Sequence, residues 1–194
     1  MPGDRAGCPC LWRRHVLADF VKIFDAGVFG YVDAMRPITL AKTATAALTT
    51  ALVGGLASRP AQSTWYESLR KPSFQPPRQA FPIVWPILYT GIAVVSARTI
   101  DRLRADGRDD QARAYTAALA GNLAVNAAWS WVFFSQRRLG AAAVTAAALT
   151  ASSADLTRRA VQAQGAPGAV LTPYPLWCAF ATALSTRIWM LNRK

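Results

Sequence analysis

Histidine is nearly absent: His15 is the only one among 194 residues. That excludes multi-histidine metal centres and histidine-based triads elsewhere in the chain. Cysteine is scarce as well, and Cys8, Cys10 and Cys178 cannot build a disulfide framework. The Cys8-x-Cys10 pair admits a thiol-metal or redox reading, yet its position reads better as part of a terminal tail. Acidic side chains number 10 against 22 Lys+Arg, a balance suited to nucleic acid, an anionic membrane surface or anionic ligands. No nucleic-acid motif accompanies the cations. No internal repeat is visible, which argues against a duplicated transporter. No uninterrupted apolar region follows the N-terminus, which argues against a secretory signal.

What is present is apolar sequence in long runs. Hydrophobic residues make up 53% of the chain, and the basic residues fall between the runs, which favours a membrane setting. A membrane-crossing helix needs about 20 largely apolar residues. Five stretches approach this: 38–57, 81–97, 114–134, 139–156 and 170–190. The fourth is rich in Ala, Thr and Ser and is the weakest, so it is expected to pack among other helices. Residues 98–113, with five Arg and four Asp, read as a solvated loop. Residues 135–138 read as a short basic connector and 161–169 as a Gly/Pro turn. The expected fold is an all-α integral membrane bundle of five transmembrane helices over residues 37–194. An extension, 1–36, precedes it. Within the extension, 16–35 has the period of an amphipathic, interfacial helix, although its polar face is net acidic.

Three helical stripes carry candidate chemistry. Asn122, Asn126, Trp129 and Phe133 fall within about 60° on a wheel, opposite Thr116, Ala120, Ala124 and Ala128. Carboxamides in hydrocarbon are costly without partners, so the asparagine face should point into the bundle. Stapling helices together and lining a ligand site are equally good readings of that pair. The small-residue stripe is suited to a neighbouring helix or a second subunit. A second stripe runs Pro82, Trp85, Tyr89, Ile92 and Ser96, and a third Tyr174, Trp177, Ala181, Leu184 and Ile188. Taken singly, their aromatics fit an interfacial belt. Trp85, Trp177 and Asn126/Trp129 together argue for a shared aromatic pocket suited to a flat ligand.

Before the second run stands WYESLRKPSFQPPRQAFPIVWPILY (65–89). Lys71-Pro72 and Pro76-Pro77 make the segment stiff and non-helical, while Pro82 suits a first helical turn and Pro86 a kink. Such a loop would cap the bundle mouth, with Arg70, Lys71 and Arg78 at its rim to pair ligand carboxylates.

The run W-Y-x-x-L-x-K-P-x-x-x-P-P-x-x-x-F-P-x-x-W-x-x-L-Y (Trp65 to Tyr89) resembles the signature of the TspO/MBR family. N-x-x-x-N-x-x-W-S-x-x-F-F (Asn122 to Phe134) is similar to that family's third helix, and P-Y-x-x-W-x-x-F-A-T-x-L (Pro173 to Leu184) to its fifth. The resemblance implies five transmembrane helices with a cavity under the first connecting loop, binding of porphyrins and other tetrapyrroles, and homodimers. It implies pocket residues Tyr66, Trp85, Tyr89, Asn126, Trp129, Trp177 and Ala181. It also implies light-dependent porphyrin breakdown through Trp85 and Trp177 as an alternative activity. The final helix departs from the family's sterol pattern, with Trp189 and no tyrosine in LSTRIWMLNRK.

Three functions follow as expectations. The first is a tetrapyrrole-binding membrane sensor or carrier that requires no cofactor, has the bilayer and a second copy as partners, and lies in a bacterial inner membrane. The second is a porphyrin-degrading enzyme, ranked lower because no acid-base pair or nucleophile supports it. The third is a scaffold without ligand.

Overall fold

Alanine, threonine and leucine dominate residues 37–58, with no proline after the first position and only the Gly54-Gly55 pair to weaken the helix. Pro37 supplies a helical φ at that first position, where its missing N–H costs nothing. The segment forms α1 (Pro37–Ser58). In the computed structural model, which describes residues 35–58 and 64–193, the short α2 (Thr64–Ser68) comes next, followed by α3 (Ala80–Ala105), α4 (Asp109–Ser130), α5 (Leu139–Gln164) and α6 (Pro173–Asn192). A π-turn (Trp131–Ser135) continues α4, and a 3₁₀ turn (Ala166–Leu171) links α5 to α6. The expected extension helix at 16–35 and the Cys8/Cys10 pair lie outside the described residues, apart from Met35.

The bundle is all-α among the described residues, as the periodicity indicates. Four of the five long helices, α1, α3, α4 with its π-turn, and α5, are both long and apolar enough to cross a bilayer. At 20 residues α6 has the length, but its prolines, aromatics and Arg187 dilute its apolar character. The weakest span is thus the last one, whereas the sequence pointed to the fourth. Residues 98–113 also depart from expectation. α3 runs to Ala105 and α4 starts at Asp109, so only 106–108 lie outside helix. Arg and Asp there mark helix ends that project past the hydrocarbon, and Gly107, at φ 70, makes the left-handed step between them.

α3 is the central helix. Every residue from Gly91 to Ala97 is buried, because α1, α4, α5 and α6 all pack against it. Lipid tails are as apolar as leucine, so close fit and polar contacts between helices hold the bundle together. α1 shows both. It turns Thr39, Thr43, Ala47, Thr50, Gly54 and Ala57 inward and leaves Ile38, Leu48, Leu52 and Leu56 outward. The Thr43 hydroxyl donates to the Ala93 carbonyl of α3 at 2.8 Å.

Asp101 of α3 secures the start of α1. Its buried carboxylate accepts from the Arg36 N–H at 2.8 Å and from the Thr39 hydroxyl at 2.7 Å. A carboxylate at a helix N-terminus satisfies orphan donors and complements the dipole. Asp101→Ala is therefore expected to cost about 1–2 kcal/mol and to accelerate amide hydrogen exchange in the first turn of α1. Exchange unchanged in that turn would overturn this role.

Candidate functional site

The proline-rich loop does not hang free. Turn hydrogen bonds from Gln75 N–H to the Pro72 carbonyl (3.1 Å) and from Ala80 N–H to the Pro77 carbonyl (2.9 Å) shape it, and Pro76 is buried. The loop lies along α6. Asn192 accepts from the Arg70 N–H and donates to the Arg70 carbonyl, each at 2.9 Å. Lower down, Phe74 meets Phe180 and Phe81 meets Trp177, with ring centroids 6.3 and 5.9 Å apart.

Beneath the loop, rings from five segments gather in three groups. Tyr66 of α2 and Trp129 of α4 both pack on Phe133 and Phe134. Trp177 lies between Phe81 and Phe180. Trp85 stacks on Tyr89 at 5.4 Å. Trp85 and Trp177 thus occupy separate ring groups, though both pack against the same buried core. Ala181 sits partly buried one turn beyond Trp177. The π-turn matters here: the Gln136 N–H donates to the Trp131 carbonyl at 2.9 Å, and this wider turn carries Phe133 and Phe134.

Tyr89 opens a polar chain across four helices. Its hydroxyl donates to Asn126 Oδ1 (2.8 Å), and Asn126 Nδ2 donates to the Tyr174 hydroxyl (3.1 Å). Tyr174 donates to Asn122 Oδ1 (2.8 Å), whose Nδ2 donates to Ser152 (3.1 Å). Both asparagines are buried, as their stripe required, and Thr116, Ala120, Ala124 and Ala128 on the opposite side are exposed.

The rim cations are partly engaged. Arg78 pairs with Glu67 at 3.1 Å, with both side chains more than half exposed. Lys71 Nζ lies 4.5 Å from the centre of the Tyr66 ring. The Arg70 side chain is exposed. An exposed ion pair contributes about 0–1 kcal/mol, so Arg78 can exchange Glu67 for an incoming carboxylate at small cost. Burial holds the Tyr66 phenol above its ordinary pKa, opposed by the Gln75 hydrogen bond and the Arg78 charge. The side chain is therefore neutral at physiological pH.

Two buried polar atoms in this region, Trp129 Nε1 and Gln75 Oε1, have no hydrogen-bond partner among the described residues. Gln75 uses its Nε2 on the Tyr66 hydroxyl at 3.3 Å. Sequence reasoning missed Asn192 and Ser152, whose partners lie far along the chain, and Gln75, whose contact with Tyr66 depends on how the loop folds back on α2. It had Tyr174 on a recognised stripe without assigning it to the site. Cavities of about 200 Å³, beside Leu103, Arg108, Tyr115 and Arg158, and of about 140 Å³, beside Lys42 and Arg104, open at the other end of the bundle.

Known proteins share this arrangement's sequence. The family model described as TspO/MBR matches residues 43–190. The translocator protein of Ovis aries is 36% identical over 130 residues, covering 66% of this chain and 75% of the relative. A tryptophan-rich sensory protein of Cereibacter sphaeroides is 32% identical over 128 residues (66% and 77%), and protein CrtK of Rhodobacter capsulatus is 31% identical over 128 residues (66% and 78%). With its capping loop, its asparagine-bearing α4 and its aromatic α6 all inside the matched region, the chain belongs to the TspO/MBR family.

Proposed function

We propose that this TspO-type membrane protein binds a tetrapyrrole of the porphyrin or haem type beneath the 69–79 loop and acts as a sensor, regulator or carrier for it. The observation that carries this reading is the pair of partnerless buried atoms, Trp129 Nε1 and Gln75 Oε1. Leaving a buried donor or acceptor unpaired costs about 1–3 kcal/mol. A planar free-base porphyrin, with carboxylates and ring N–H groups, offers a partner to each, and the carboxylates of a haem offer one to Trp129 Nε1. The indoles and phenols around them supply faces for stacking. Arg70, Lys71 and Arg78 stand where propionate-like carboxylates would leave the pocket. The names of the relatives, translocator and sensory protein, accord with a ligand that is moved or sensed. A bacterial inner membrane is the proposed location. A second copy is the proposed partner of the exposed small-residue face of α4.

The test is a protoporphyrin titration of the full chain in detergent, read by the shift of the porphyrin's main absorption band. Saturable binding is expected, weakened roughly tenfold in Trp129→Phe, the loss of one charge-assisted hydrogen bond. A signal that never saturates would leave the scaffold reading in its place, and an affinity unchanged in both Trp129→Phe and Gln75→Leu would overturn the assignment of the ligand to these two atoms. Band loss under illumination that disappears in Trp85→Phe or Trp177→Phe would instead establish degradation.

A further inference from the structure

Away from the aromatic site, α1, α3 and α4 enclose a groove of about 140 Å³ near the α3–α4 turn. Its walls are mainly apolar: Ala46 from α1, Ile100 from α3, and Leu119, Ala120 and Leu123 from α4. Two cations reach it from different helices, Lys42 of α1 and Arg104 of α3. Both are exposed. Among the described residues neither takes part in an ion pair, although Arg78, Arg102, Arg113, Arg158 and Arg159 all do. The neighbouring acid, Asp101, is committed through both oxygens to Arg36 and Thr39.

We infer that this groove is a binding site for one anionic phospholipid of the surrounding bilayer. The headgroup phosphate would lie between Lys42 and Arg104, and one acyl chain would run along Ala46, Ala120 and Leu123. Three features select that occupant. The groove opens on the outside of the bundle, between two membrane-crossing helices, where lipid is the solvent. Its cations stand at one end, within a turn or two of the start of α1 and the end of α3, at the depth of the headgroups. A basic pocket between helix ends is a recurrent headgroup site. Ala120 keeps the wall low enough for a chain to lie against it, and Ala124 and Ala128, further along the same face, remain outside the groove.

The experiment is lipid titration of the full chain in detergent, followed by native mass spectrometry, comparing phosphatidylglycerol with phosphatidylcholine. One phosphatidylglycerol should bind at least tenfold more tightly than phosphatidylcholine. Each cation near an anionic headgroup is worth roughly fivefold in affinity. The double variant Lys42→Gln/Arg104→Gln should therefore remove most of the preference. Arg113→Gln, an exposed and paired arginine at the same end of the bundle, should leave it intact. Ala120→Phe, which fills the groove without touching charge, should weaken retention of both lipids. If the double variant fails to fold, Arg104→Gln and Ala120→Phe give the same reading. Equal affinity for the two lipids overturns the site, and so does a preference that survives loss of both cations, since either result places the lipid elsewhere or shows the groove covered by other parts of the chain.

Discussion

Replacing Gly168 by alanine should lower the melting temperature of the purified protein by about 10 °C. Gly168 is buried in the 3₁₀ turn between α5 and α6, with its Cα pressed onto the α5 backbone. A Cβ there would overlap the carbonyl of Ala160 and the nitrogen of Val161. Both are main-chain groups inside a helix, so no side chain can swing aside, and the whole turn must move. The turn sets where α6 enters the bundle, and displacing it disturbs Leu171 and Tyr174, both buried. Overpacking of this kind costs about 3 kcal/mol, and a chain of this size loses about 2–4 °C per kcal/mol. Gly55→Ala is the control, because a Cβ at Gly55 meets nothing within 4 Å and alanine is the better helix former. Its melting temperature should hold or rise. A Gly168→Ala protein that melts with the wild type would show that the turn and α5 are not in close contact.

Tyr174→Phe should have the next largest effect. The change keeps the ring and removes one hydroxyl, but that hydroxyl serves two asparagines, accepting from Asn126 and donating to Asn122. Tyr174 is 1% exposed and Asn122 is 0% exposed, so no water replaces the lost partner. Individual hydrogen bonds between membrane helices contribute about 0.6–1.7 kcal/mol, and an orphaned buried group costs about 1–3 kcal/mol. Together these give a loss of about 2–3 kcal/mol, seen as a fall of about 5–10 °C in thermal unfolding. Tyr89→Phe, at the end of the chain with one bond to Asn126, should cost about half as much. The comparison also decides what the asparagines are for. A loss of stability with unchanged porphyrin affinity assigns them to holding helices together. A parallel fall in affinity assigns them to the ligand. Equal stability of both variants and the wild type would show that the relay contributes nothing.

Much of this was readable from residue order. The angular spacing of Asn122, Asn126, Trp129 and Phe133 separated the inner face of α4 from its outer one, and the structure buries the first two and Phe133 while exposing Thr116, Ala120, Ala124 and Ala128. Periodicity works there because an unpaired carboxamide has only one tolerable environment in hydrocarbon. The same reasoning failed at 98–113. Charge density reads as loop, but a helix that outgrows the bilayer must be charged at its tip, and Arg102 and Asp106 pair one turn apart at 3.3 Å. Nor could sequence reveal that α3 is enclosed on all sides over residues 91–97. Its stripe of Trp85, Tyr89, Ile92 and Ser96 suggested one inward face, while Gly91, Ala93 and Val94 are buried just as well by the surrounding helices. Contacts such as Gln75 with Tyr66, or Asn192 with Arg70, depend on a loop lying against a helix more than a hundred residues later in the second case. No local pattern encodes them.

The clasp between Asn192 and Arg70 has a mechanical result. One carboxamide grips both backbone polar atoms of a single residue, so the canopy over the aromatic groups and the tip of the final helix are tied at two points. Hinging the canopy upward drags that tip along, and a pull on the tip tugs the canopy in return. Whatever takes hold of the last turn of α6 therefore pulls on the canopy as well.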